Sequence, residues 1–357
     1  MKSLSAILLV LFSAVIYAQD DAVVMQDSLV DSDSNSFIED HKNQLNIKFD
    51  ISNDIPKYFI TFDDQKVGIK PNLNLRYALD FNHKFASVRL GIRAPVSDAE
   101  KEEKGDSYVL NLRVKLLFEK WAHKFEYLYV RGYHIDNSEN LTENDIQYQI
   151  QFPRLKTNIY KGSTAYKFNE NFSLRAVASQ TEIQTKSAGS FMPSIDYWLY
   201  TIRGTDEIIN VLGEPDKRDT YNNFKGFTTV LNAGYYYTYV YKKYWYAHAY
   251  LSPGLGADFY TIESYSPDQN TNQNQTNFVV SLKSGIAVGY NSQKYYFGLA
   301  YNNRSTKENP YTDTFEFHSS RNIFHAFIGY RFKAPKPVAE TIEYLEKKVP
   351  ILDKDVK

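Results

Sequence analysis

The sequence predicts an all-β protein: a transmembrane antiparallel β-barrel of about twelve strands in a bacterial outer membrane, with a cleaved signal peptide, an acidic leader and a short periplasmic tail. Three observations predict it. The chain opens on an export signal, its apolar residues recur at every second position, and the links between those segments alternate short and long. An outer-membrane barrel combines all three: it is exported, it faces lipid with one side of each strand, and it turns tightly only on its periplasmic side.

Lys2 precedes an apolar run over 4–17, and Ala18 stands before Gln19-Asp20-Asp21, so cleavage is expected after Ala18 and residues 1–18 leave the fold. A run of about fourteen apolar residues is too short to cross a hydrocarbon core of roughly 30 Å, which argues against an anchor. No later stretch approaches the length of a membrane-crossing helix. The chain has no cysteine, which excludes disulfide staples, thiolate metal sites and a lipid-anchored cysteine. With 30 Tyr and 23 Phe, aromatic side chains abound without long apolar blocks, as two interfacial girdles require. A net charge of −1 offers nothing to nucleic acid.

Residues 19–43 read as a flexible leader, since Asp20, Asp21, Asp27, Asp31, Asp33, Glu39 and Asp40 occur there with no Lys or Arg before His41. The barrel is expected over 44–332. Its clearest strand runs Tyr108, Leu110, Leu112, Val114, Leu116 and Phe118 on one face, with Asn111, Arg113 and Lys115 on the other. Phe278, Val280, Leu282, Ile286, Val288 and Tyr290 repeat the pattern against Ser281, Lys283, Gly285, Ala287 and Gly289. On this basis strands are expected at 45–51, 67–81, 84–94, 106–118, 121–134, 157–168, 172–185, 226–240, 244–260, 276–290, 293–305 and 320–332. Tyr58 to Phe62 competes with Leu45 to Ile51 for the first position.

Short links fall at Asn82-His83, Glu119-Lys120, Asn169 to Asn171, Lys242-Lys243 and Asn291-Ser292, in residues that turns favour. Long links fall between them at 52–66, 95–105, 135–156, 186–225, 261–275 and 306–319. With both termini periplasmic, every short turn lies inside and every long loop outside. The 186–225 link is unusually apolar and is expected to extend the wall or fold into the mouth. The last strand ends Ile328-Gly329-Tyr330-Arg331-Phe332, an aromatic terminus of the kind barrel-insertion machinery reads. The tail, 333–357, carries a helix-compatible stretch at 338–348 and is expected to meet a periplasmic partner, while the barrel's own partner is outer-membrane lipid.

The run Val67-Gly68-Ile69-Lys70-Pro71-Asn72, with Gly329-Tyr330-Arg331-Phe332 followed by Pro335-Lys336, resembles the DUF4421 proteins of Bacteroidetes-type bacteria. The resemblance spans roughly 40–340 and departs from the family where glycines are missing from Leu75 to Leu79. It implies an outer-membrane barrel of unrecorded function, and it carries over no catalytic residue.

The seven histidines, at 41, 83, 123, 134, 248, 318 and 325, form no metal-binding pair, so neither metal nor cofactor is expected. His134 and Asp136 at an outer strand end are the best pair for a rim enzyme, but no activated serine motif accompanies them, and a non-enzymatic barrel is the expectation. The inward phase is more informative: Arg76, Arg89, Arg93, Arg113, Lys115, Arg175, Lys283 and Arg331 face few acids, chiefly Asp80, Glu126 and Asp258. A water-filled basic lumen would concentrate anions, whereas a filled one would pair these cations with acids and loop carbonyls. The acidic leader fits either a plug entering from below or a solvated spacer. The leading reading is a passive pore for small anionic solutes. The alternatives are a closed structural or surface-display barrel presenting its loops and tail, and an outer-rim enzyme.

Overall fold

The computed structural model describes residues 36–62, 65–136, 150–207, 221–265, 270–308 and 319–348. The expected signal peptide at 1–18, most of the expected leader, residues 349–357 and parts of the links expected at 52–66, 135–156, 186–225, 261–275 and 306–319 lie outside the described residues, as does His318.

A short strand, β1 (Ile38–Asp40), comes first, followed by β2 (Gln44–Ser52), β3 (Tyr58–Phe62) and β4 (Gln65–Lys70). The chain continues through β5 (Arg76–His83), β6 (Ala86–Arg93), β7 (Tyr108–Leu117), β8 (Trp121–Ile135), β9 (Gln151–Tyr166), β10 (Glu182–Gln184) and β11 (Ala188–Arg203). It ends with β12 (Tyr221–Tyr241), β13 (Trp245–Tyr265), β14 (Thr271–Asn291), β15 (Tyr295–Glu308) and β16 (Ser319–Lys333). Twelve of these close one antiparallel barrel: β2, β5 to β9 and β11 to β16, each paired with the next, with β16 returning to β2 from His325↔Ser52 to Lys333↔Gln44. Closure removes every free edge, which is what hydrocarbon demands of a sheet.

The wall obeys the period-two rule. Leu231, Leu255, Ile286, Leu299 and Ile328 point outward and are among the most exposed large apolar residues. Aromatic residues flank this band. Trp245 stacks edge-on to Tyr290 at 5.1 Å near the tight turns, and Tyr127 packs on Tyr160 at 4.8 Å toward the loops. An apolar belt of this kind between two aromatic girdles places the barrel in the outer membrane. Strands β12, β13 and β14 are 21 residues long, about twice the length needed to cross, so their outer ends stand clear of the bilayer.

The count of twelve agrees with the sequence, but one strand has been exchanged. Residues 172–185, expected in the wall, form a helical turn at Arg175–Ala178 followed by β10, which pairs with β1 of the leader. The wall strand is instead β11, inside the link expected at 186–225. Its alternation is concealed because Trp198, Tyr200 and Ile202 put apolar residues on the inward face as well, while Pro193 interrupts the outward one. The expected turn at Asn169 to Asn171 therefore becomes a long excursion on the periplasmic side.

The expected 67–81 strand is also divided. Residues 65–70 pair with β3 as a hairpin, and the wall strand starts at Arg76. Leu45 to Ile51 wins the first wall position. Tyr58 and Ile69 of the hairpin join Leu128, Val130, Tyr133, Phe152, Ile202 and Phe224 in an apolar cluster that narrows the loop end. The expected loop at 261–275 is mostly strand, since β13 and β14 run on to Tyr265 and from Thr271. A bulge between Arg131 and Tyr133 centres on Gly132, whose φ of +84° suits only glycine at low cost. Below the barrel a helix, Lys336–Lys348, is held by an ion pair from Lys84 to Glu346 at 2.7 Å.

Candidate functional site in the barrel lumen

The lumen is built from inward positions of the wall, and its charges are organised around four carboxylates. Asp80 receives Nε and Nη2 of Arg89 at 2.8 Å each, a two-pronged contact between directly opposed residues, and Lys48 Nζ stands 3.6 Å away. Asp50 takes Arg89 Nη2 at 3.1 Å and faces His325 Nδ1 at 3.2 Å. Asp54 is shared by Arg76 and Arg321, each at 3.3 Å, with Arg113 at 3.8 Å. Glu126 accepts from Arg113 Nε and Asn111 Nδ2, both at 2.9 Å. Such pairs offset the cost of removing their ions from water only because each carboxylate accepts several donors.

The periplasmic end is occupied by the excursion 172–185, a plug whose backbone carbonyls are gripped by wall side chains. Asn46 Nδ2 donates to Ser179 and Gln180, Lys115 Nζ to Ala178 at 2.8 Å, and Asn291 Nδ2 to Ala176 and Glu182. Arg331 Nε donates to the Gln180 carbonyl at 2.8 Å, and Lys48 Nζ to the Gln180 side chain at 3.2 Å. Within the plug, Glu182 accepts from Arg175 and Ser173. Among the described residues, the backbone–backbone bonds of 173–185 to other segments run to the leader, not to a wall strand: His41 N–H to Thr181 O and Thr185 N–H to Phe37 O join the β1–β10 ladder.

Above the plug lies a cavity of 480 Å³. Leu174, Val177 and Ala178 of the plug form its floor, and Tyr58, Thr157 and Ile202 line it toward the loop end. Among the described residues, nine Lys or Arg but only two carboxylates, Asp50 and Asp196, face it. On the β12–β13 side, Tyr236 and Tyr250 stack at 5.0 Å, and Tyr250 donates to Asn302 at 3.0 Å. Gly285, directly opposite Tyr250, leaves the space its ring occupies.

Of the eight basic residues predicted to line the lumen, Arg76, Arg89, Arg113, Lys115, Lys283 and Arg331 are inward wall residues, each with an acid or carbonyl partner. Arg93 sits at the loop-end rim, bonded to Asp106 at 2.7 Å and to the Ser107 carbonyl. Arg175 belongs to the plug rather than the wall, pairing with Glu182 at 2.9 Å and donating Nε to Leu117 O. Its assignment to the wall followed from the misplaced 172–185 strand. Sequence reasoning passed over Lys48, Lys124, Lys161, Arg304 and Arg321, and the acids Asp50, Asp54 and Asp196. Extending the inward phase of β2 through Asp50, and that of β9 through Lys161, would have found several of them.

At the rim, His134 is buried, and the carboxylate of Asp136 is held by Lys57 and Lys70, each at 2.9 Å. His248 faces Thr238 Oγ1 at 2.9 Å inside the barrel. Among the described residues no group of His, Asp and Glu has the arrangement of a metal site.

A family model, a domain of unknown function designated DUF4421, matches residues 29–332. No curated protein sequence matches the chain. Among solved structures it is similar to the β domain of the Bordetella autotransporter BrkA, with 10% identity, 81% of this chain and 100% of that one covered, and a TM-score of 0.38. It is also similar to the outer membrane protease OmpT of Escherichia coli (9% identity, 82% and 98% covered, TM-score 0.35). The attachment invasion locus protein Ail of Yersinia pestis is a third (10% identity, 82% and 99% covered, TM-score 0.19).

Proposed function

The chain belongs to the DUF4421 family, and from that premise we propose that it is a plugged, non-enzymatic outer-membrane conduit that admits small anionic solutes when its periplasmic plug is displaced. The observation that carries this reading is the cavity directly above the plug, with its nine cations against two carboxylates. Charge of one sign inside a low-dielectric wall raises the local concentration of the opposite ion. The plug is held to the wall by side chains, which can release one by one without breaking a sheet ladder. It is also tied to the leader, so a pull on the N-terminal segment would be transmitted to it. The reading differs from an always-open pore because the ion pairs and plug carbonyls occupy most of the lumenal cations.

Planar-bilayer recording tests it. The full barrel is expected to be silent, and a chain in which 172–185 is replaced by a Gly-Ser linker is expected to pass anion-selective current under a salt gradient. The double variant K115Q/R331Q serves where the replacement does not fold. Silence from variants that insert fully would favour the display reading, in which the long outer ends of β12–β14 and the periplasmic helix Lys336–Lys348 present surfaces to partners.

A further inference from the structure

We propose that Lys124, Lys161 and Arg304 form a binding site for a small organic anion bearing a doubly charged, phosphate-like group. Six of the nine cations facing the cavity are committed to the carboxylates and plug groups described above. These three remain. Among the described residues none of their side chains makes a hydrogen bond or ion pair, and the Arg304 Nε is buried without an acceptor. They stand on β8, β9 and β15, and Arg304 interacts electrostatically with both lysines.

Holding three like charges together in a barrel interior is costly unless something negative joins them. The two nearest wall acids are both engaged: Glu126, directly opposite Lys161, accepts from Arg113 Nε and Asn111 Nδ2 at 2.9 Å each, and Asp196 accepts from Lys283 Nζ and Ser163 Oγ at 2.6 Å each. A guanidinium fork with two ammonium groups matches a tetrahedral oxyanion, which accepts several donors at once. The rest of the lining describes the remainder of the ligand. Trp198, directly opposite Lys161, together with Leu174, Val177 and Met192, offers an apolar wall, and the cavity volume of 480 Å³ is that of a small-molecule pocket. An organic body carrying one dianionic group fits both halves.

The site rests on the conduit reading for its role in passage, but its binding does not require the plug to move. Isothermal titration of the full chain, folded in detergent with the plug in place, with phenyl phosphate at constant chloride reads it directly. Saturable binding is expected, with none for phenol, and K161Q and R304Q are each expected to weaken it by at least about tenfold. K124Q replaces either variant that loses heat-modifiable migration. Absence of saturable binding in the unaltered chain, or variants that bind as it does, would overturn the site. Anion-selective current from the plug variants would then still stand, just as phenyl phosphate binding would survive their silence.

Discussion

Arg331 on the last wall strand donates its Nε to the backbone carbonyl of Gln180 at 2.8 Å, so the strand that closes the barrel also holds the plug. The same guanidinium bonds Asn291 Oδ1 at 2.6 Å and the Ser292 carbonyl, and it lies over the Tyr296 ring. R331Q is expected to cost roughly 2 kcal/mol of plug attachment, since a charged donor to buried carbonyls is lost. Hydrogen exchange read by mass spectrometry would show faster exchange over 172–185 with the wall unchanged. Equal exchange in both proteins would mean that Arg331 does not hold the plug.

Glu39 ties the leader to the underside of the barrel. Its carboxylate is held down to about 2 by the hydrogen bond from His41, against the opposing effect of burial, with Lys243 and Gln293 adding to the depression. Because the folded value lies below the usual 4.5, the stabilisation is complete above about 4.5 and is lost as pH falls from there toward 2. The native chain lacks cysteine, so spin labels at S36C and K294C can report the separation of the leader from the tight turn beside Gln293. The distance is expected to be constant from pH 8 to about 5 and to widen on further acidification, and E39Q is expected to abolish that pH dependence.

Gly132 is expected to be intolerant of substitution. With φ at +84° and an added Cβ driven into the Asp106 carbonyl, G132A meets both a strained backbone and a steric block. A loss of about 1–3 kcal/mol in urea unfolding from lipid vesicles is expected. A loss near zero would mean that the bulge relaxes without cost.

The lipid-facing belt makes a depth-dependent prediction. Ile286 is 61% exposed and lies near the middle of the roughly ten residues of β14 that cross from the turn at Asn291, and I286R is expected to cost about 2–4 kcal/mol of folding free energy in a bilayer. N272R, on the projecting end of β14, is expected to cost less than about 1 kcal/mol. Equal costs at the two positions would remove the assignment of where the membrane sits.

Much of this architecture was legible before any coordinates. Tyr108 to Leu116 and Phe278 to Tyr290 announce wall strands because lipid on one side and lumen on the other impose a two-residue period, which side-chain chemistry records directly. The alternation failed where the lumen stops being polar. Trp198, Tyr200 and Ile202 face inward on β11, so a true wall strand read as an apolar loop, while 172–185 read as the strand in its place. The total of twelve agreed because one error replaced another.

The candidate site was half legible. Inward phase picked out Arg89, Arg113 and Lys283, since phase is a local property. Which cations are neutralised depends on residues far apart in the chain: Arg321 meets Asp54 and Lys283 meets Asp196 only because closure brings β16 beside β2 and β14 across from β11. By itself the sequence determined a membrane-facing belt and the alternating character of most wall strands, both consequences of local periodicity and composition. Only the tertiary structure decided that the lumen carries a plug, that most of its basic residues are paired, and that among the described residues the side chains of Lys124, Lys161 and Arg304 are not, because pairing across a barrel is set by closure and register rather than by neighbours in the chain.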